Sequence, residues 1–212
     1  MKGDIILFDY GGVVAKDHQD PAENELMNIF DVDRKTIDSL LSEKSEHGAA
    51  FREGKISEKE FWDVICTFSN VNVANLYSYP ELSTLFAETY SLDNELLGII
   101  QKIRNHHKVG ILTNIDCARS NYLVNQLSIT NYFDLYYPSY LYGSNKRAKD
   151  LWNIINQVIK NDYPDSRIIY IDDRNEHVLS ANAIGWIGIK YINIEELKKD
   201  IFKIINIKEI IL

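Results

Sequence analysis

Three apolar runs in this 212-residue chain each end on groups that can do chemistry. The first, Ile5 to Phe8, ends on Asp9, with Gly11 and Gly12 just beyond. The second, VGILTN at 109–114, ends on Thr113 and Asn114, and the third, IIYIDD at 168–173, ends on Asp172 and Asp173. Between these two, SYLYGSNKRAKDLW (139–152) holds Lys146 in a turn before an amphipathic run. A continuous apolar run is the pattern of a strand buried on both faces of a parallel sheet. Ligands of such sheets bind outside the carboxyl ends of the strands. A carboxylate there, beside glycines that admit a close backbone approach, is placed as a reactive group. Taken singly, each segment also has a plain structural reading. Asp9 can simply end a strand and open a turn, Thr113 can cap a helix, and two adjacent acids can form a solvated turn. Recurrence of strand-then-polar three times, with one lysine between, favours chemistry.

The elements that must position these groups follow from periodicity. Strands are expected at 4–8, in the run before Thr113, at 133–138, 167–171 and 187–191. Helices are expected at 92–105, with Leu96, Leu97, Ile100 and Ile103 on one face, at 119–126, at 151–159 and at 178–184, the last ending at Gly185. Such alternation argues a parallel sheet with right-handed crossovers. Residues of about 15 to 92 read instead as all-helical. Amphipathic runs lie at 23–30, 34–42 and 81–90, Gly54 breaks the pattern, and Ser57 with Glu60 matches a capping box. A final helix from Glu195 carries an apolar extension to Leu212 that could dock on the core or self-associate, giving a monomer or a homodimer.

In its four-segment order the chain resembles the haloacid dehalogenase (HAD) superfamily over most of its length. The run FREGKISEKEFW (51–62) is similar to the cap segment of the glucose-1-phosphatase-like and epoxide-hydrolase-N-terminal-like branch. The resemblance implies an α/β, Rossmann-like parallel-sheet core formed by 1–14 and 93–212, with an inserted helical cap at 15–92. It implies a Mg²⁺-dependent phosphatase acting on a small phosphorylated metabolite. Asp9 would attack phosphorus and form an aspartyl-phosphate that water then hydrolyses. Thr113 would donate its hydroxyl to a phosphoryl oxygen, Asn114 would add backbone or side-chain donors, and Lys146 would neutralise nucleophile and phosphate together. Mg²⁺ would be held by Asp9, the carbonyl of Gly11 and Asp173 directly, with Asp172 behind these ligands or acting through water.

Three positions depart from the family pattern. Gly11 stands where many members carry a second aspartate that protonates the leaving group. Arg147 stands where proline is common, and His177 where asparagine is common. With a shifted loop, Arg147 or Lys149 would replace Lys146. Two alternatives follow: a carbon–halogen hydrolase of the same fold, and a non-catalytic binding protein on this scaffold. Dehalogenases need no metal and lack the paired acids, so Asp172 and Asp173 argue for phosphorus.

Composition narrows the partners. The formal net charge is −8, which repels a nucleic-acid backbone yet leaves a small phosphate ester to a local cation. No apolar stretch is long enough to span a membrane. The two cysteines, Cys66 and Cys117, form neither a disulfide framework nor metal-ligand spacing. These features together are read as cytoplasmic. Cys66 is expected buried on a helix face, Cys117 near the site, His106 and His107 on the surface, and His18 in solvent or facing the cleft. Arg52 and Lys55 are candidates for substrate contact.

Overall fold

The computed structural model describes residues 3–17, 21–69, 71–88 and 90–205. His18 and the chain beyond 205 lie outside them. Five strands form one parallel sheet: β1 (Ile5–Phe8) is central, β4 (Lys108–Thr113) and β5 (Leu135–Pro138) lie on one side, and β6 (Ile168–Asp172) and β7 (Ile187–Lys190) on the other. The chain therefore starts in the middle, winds outward one way, and crosses back to wind outward the other way. Such a reversal opens a crevice at the strand ends.

The apolar runs of β1 and β6 divide by the two-residue period of a strand. Ile6, Phe8, Ile169 and Ile171 pack on one face against α6 (Asn94–Arg104) and α10 (Ile194–Ile205). Ile5, Leu7, Ile168 and Tyr170 pack on the other against Leu151, Trp152, Ile155 and Ile159 of α8 (Lys149–Asp162). Leu197 and Ile201 dock α10 on the core.

Between β1 and α6 the chain leaves the sheet. Five helices, α1 (Pro21–Phe30), α2 (Arg34–Leu41), α3 (Glu46–Arg52), α4 (Glu58–Cys66) and α5 (Tyr79–Ala87), gather around their own apolar cluster. Its centre is aromatic: Phe51 stacks on Phe61 at 4.3 Å and Trp62 stacks on Phe30 at 6.0 Å. The Ser57/Glu60 capping box forms as its sequence demands, and Ser78 with Glu81 repeats it on α5.

Two elements differ from the sequence reading. The ends of the excursion are not helical: β2 (Ala15–Asp17) and β3 (Tyr90–Leu92) pair antiparallel, Ala15 opposite Leu92. This ribbon joins the helical cluster to the core, and strands three residues long leave no periodic signal. The helix α3 was also not anticipated, because Gly48 and two alanines dilute its apolar face. Ser45 starts it by accepting from Gly48 N–H. His107, expected at the surface, is mostly buried and accepts from Asp4 N–H at 2.9 Å. Cys66 is only half-buried, and both cysteines are free. No helix among the described residues is long and apolar enough to cross a membrane.

Candidate active site

Strand register brings the separated segments together. Phe8 lies level with Ile111 and with Ile171, so Asp9 emerges beside Asp172, with Thr113 two residues beyond Ile111 on the neighbouring strand. Lys146 arrives from the turn before α8 and is fully buried between the two acids. Its Nζ lies 2.7 Å from Asp9 Oδ2 and 2.9 Å from Asp172 Oδ2. Neither Arg147 nor Lys149 competes, since both are exposed. The buried Thr113 lines the cleft above Asp9.

The two adjacent acids have unequal surroundings. Asp172 is wholly buried and saturated. Its Oδ2 accepts from Lys146 Nζ, from the Tyr170 hydroxyl and from His177 Nδ1 at 3.0 Å, and its Oδ1 accepts from Arg174 N–H at 2.8 Å. Burial alone would raise its pKa, but the Lys146 ammonium and the His177 hydrogen bond hold the carboxyl well below the usual carboxylate range. Asp173 is half-buried, and its Oδ1 is sequestered without a hydrogen-bond partner. Burial and the neighbouring Asp172 charge raise its pKa. It rests against Gly12, where a Cβ would meet the Asp173 carboxyl carbon at 2.8 Å; with φ at +81°, that position calls for glycine on both counts.

One ammonium thus serves several carboxylates. Burial pushes Asp9 up to about 7, against the pull of Lys146. For Lys146, burial acts downward, but Asp9 and Asp172 together raise it above its ordinary value. The partnerless Asp173 oxygen is a hard donor of the kind a divalent cation takes. Ligand atoms of Asp9, Asp172 and His177 also lie within 4.8 Å of one another. The Lys146 ammonium already bridges the two acids of that group.

The helical cluster supplies the opposite wall. Glu43, in the loop between α2 and α3, forms an ion pair with Arg174 and accepts from Asn114 Nδ2 at 3.0 Å. Burial pushes Glu43 up, but these partners outweigh it and hold the carboxyl at about 2. Asn114 Oδ1 accepts from Lys146 N–H at 2.8 Å. The Asn114 amide therefore ties the lysine loop to the opposite wall. The guanidinium of Arg52 donates to the Leu41 and Gly48 carbonyls while lining the cleft; Lys55 is exposed and pairs with Glu53. The whole cleft, about 810 Å³, is bordered by Asp9, Gly11, Thr113, Lys146 and Asp173 from below and by Glu43, Arg52 and Phe86 from above.

Four contributors escape the sequence reading. Tyr170 stands two residues before Asp172 on one strand, so the period of two could have found it. Arg119 follows Asp116 by three residues at the start of α7 (Cys117–Asn125), a readable spacing. Glu43 and Phe86 carry no local signal.

Comparison with solved structures gives the fold a name. A predicted HAD-like family hydrolase from Porphyromonas gingivalis superposes with a TM-score of 0.77 at 18% identity, over 98% of this chain and 100% of that one. The chain has the haloacid dehalogenase fold. A HAD-family enzyme from Bacteroides thetaiotaomicron, solved with magnesium and inorganic phosphate, gives 0.71 at 16% identity over 90% of this chain and 94% of that one. A 2-haloacid dehalogenase from Pseudomonas syringae gives 0.61 at 13% identity over 89% and 86%. The HAD fold is thus shared with an enzyme solved with magnesium and phosphate and with a dehalogenase. No protein-family model and no curated protein sequence matches the chain.

Proposed function

We propose that the protein is a Mg²⁺-dependent phosphatase of a small phosphorylated metabolite. The observation that carries this reading is the second acid of the pair. Asp173 presents a sequestered carboxylate oxygen with no protein partner, in the cleft that Asp9 also lines. A carbon–halogen hydrolase acting without metal has no use for it. The oxygen-rich donor set fits Mg²⁺, with Asp9, Asp173 and the Gly11 carbonyl as ligands and Asp172 behind them, held by its own protein donors. The ion, when bound, would offset charge on the phosphoryl oxygens.

The protein's own residues account for the remaining chemistry. Asp9 is the nucleophile: its oxygen bonds to phosphorus as the ester oxygen leaves, giving an aspartyl-phosphate that water cleaves. Tyr10 N–H holds the other oxygen, Oδ1, at 2.7 Å and so fixes the rotamer of the attacking group. Lys146 supports phosphoryl charge and is itself aimed by Asp172, Tyr170 and the Asn114 bond. Thr113 donates to a phosphoryl oxygen. Asn114, with its side chain engaged by Glu43 and Lys146, acts chiefly as a positioning residue. Gly11 provides no general acid, so substrates with acidic leaving groups are favoured.

The test is phosphate release from a panel of phosphomonoesters with and without Mg²⁺, in parallel with chloride release from 2-haloacids. Metal-dependent phosphate release, lost in Asp9→Asn, is expected. Metal-independent halide release would establish the dehalogenase reading instead.

A further inference from the structure

Beside the reaction cleft lies a second, smaller cavity of about 50 Å³, lined by Tyr10, Gly11, Thr113, Asn114, Ile115 and Arg119 among others. Gly11, Thr113, Asn114 and Arg119 border both spaces. Arg119 is the one cation among the described residues that line the smaller cavity, and its side chain is only 8% exposed. Its Nε donates to Asp116 Oδ2 at 2.6 Å, and its guanidinium lies 4.1 Å from the centre of the Phe86 ring. Asp116 is itself fully buried and uses Oδ1 to accept from Arg119 N–H at 2.9 Å. The pair is therefore locked in place at the start of α7. The outer nitrogen of the guanidinium, Nη2, is sequestered from solvent and has no hydrogen-bond partner.

A guanidinium stays charged and cannot shed its donors. A buried donor with no acceptor is a cost that a folded chain normally avoids. Here the arginine that carries the cost borders a cavity whose lining is shared with the reaction cleft, with glycine at 11 leaving that wall without a side chain. The missing acceptor is best supplied by a ligand. The scissile phosphoryl group belongs between Asp9 and Lys146, so the acceptor at Arg119 is a second group of the same molecule. A space of this size holds only a few water-sized groups, and a planar fork of donors matches a planar carboxylate. We propose that Arg119 binds a carboxylate of the substrate, and that the substrate class is small phosphomonoesters bearing a carboxylate a few bonds from the phosphoryl oxygen. This rests on the phosphatase reading of the same site and narrows it.

Phosphonate probes test the proposal whether or not turnover occurs. Phosphonoacetate carries the carboxylate, whereas ethylphosphonate has the same two-carbon skeleton and lacks it. Each is titrated calorimetrically into the full-length protein with Mg²⁺ present. A charge-assisted contact of this kind predicts about 10- to 100-fold tighter binding of phosphonoacetate. In Arg119→Gln the ratio of the two affinities should collapse towards one, and Arg119→Lys should keep part of it. A merely structural arginine would weaken both ligands alike and leave the ratio unchanged. Equal affinities in the wild type, a comparison that needs no variant to fold, would overturn the carboxylate site alone. Binding of neither phosphonate would overturn the phosphoryl reading and this inference with it.

Discussion

The floor and the roof of the cleft are built differently. On the floor, Asp9, Lys146, Asp172, Tyr170 and His177 come from strands, the turns beside them and the first turn of the helix Asn175–Ala183, are buried, and hold one another through short polar contacts. The roof comes from a helical cluster with its own aromatic centre, and it reaches the floor through Glu43, Arg52 and Phe86. Polar groups on the floor are fixed by covalent neighbours and sheet register, so their geometry is dictated by the fold. Those on the roof are fixed by how one packed unit meets another. The proposed chemistry rests on the first kind of construction. The cleft edge where they meet is held by the Glu43–Arg174 and Glu43–Asn114 contacts.

The sharpest way to break the distinction is at Asp9. Asp9→Asn should cut turnover by about 10⁴-fold or more while circular dichroism and the melting transition show a folded protein. Substantial phosphatase activity in the purified variant would remove the floor from the chemistry. Next in size is Lys146→Met, which strands buried carboxylates without their cation. Unfolding in urea should show a loss of about 3–5 kcal/mol, together with loss of turnover; an unchanged midpoint would mean that the buried ammonium holds nothing together.

The adjacent acids separate structure from metal binding within the floor itself. Asp172→Ala removes the acceptor of four donors, so it should destabilise by about 3 kcal/mol and weaken Mg²⁺ by about 10-fold. Asp173→Ala should do the reverse, with little change in stability and a much larger loss of Mg²⁺ affinity in a calorimetric titration. Equal effects on metal affinity would show that the pair is wrongly divided.

The smallest effect should lie between floor and roof. Glu43 has its folded pKa depressed to about 2 from an ordinary 4.5. Its contribution is therefore present in full above about pH 4.5 and lost as pH falls through the folded value. With the Arg174 side chain 41% exposed, solvent screening reduces this to about 1–2 kcal/mol. Glu43→Gln should be less stable than wild type by that amount at neutral pH, and the gap should narrow as pH falls from 4.5 towards 2. A gap independent of pH over that window would show that the carboxylate charge is not what joins the two walls.

This division also explains what could be read from the sequence. Asp9, Thr113 and the acids at 172 and 173 were legible because each ends an apolar run, and the parallel sheet then gathers run ends at one edge; Lys146 was legible as the lysine of the turn between the second and third runs. The five-stranded core followed from the same runs, and the Ser57 cap from its own spacing. The β2–β3 ribbon was not legible, because three-residue strands have no period to detect. Glu43 was not legible because its partners, Asn114 and Arg174, lie far along the chain and meet it only after the helical cluster docks. Phe86 read as one more apolar helix position; only tertiary packing sets it between the guanidinium groups of Arg52 and Arg119.

The central claim is that Asp9 becomes covalently phosphorylated in turnover. Rapid acid quenching of the wild-type protein with an aryl phosphate and Mg²⁺, followed by peptide mass spectrometry, tests it directly. The expected result is one added phosphoryl group on the peptide containing Asp9, present only with Mg²⁺ and absent from Asp9→Asn. Turnover with the phosphoryl group on another residue, or with no phosphorylated peptide at any quench time, would contradict the account.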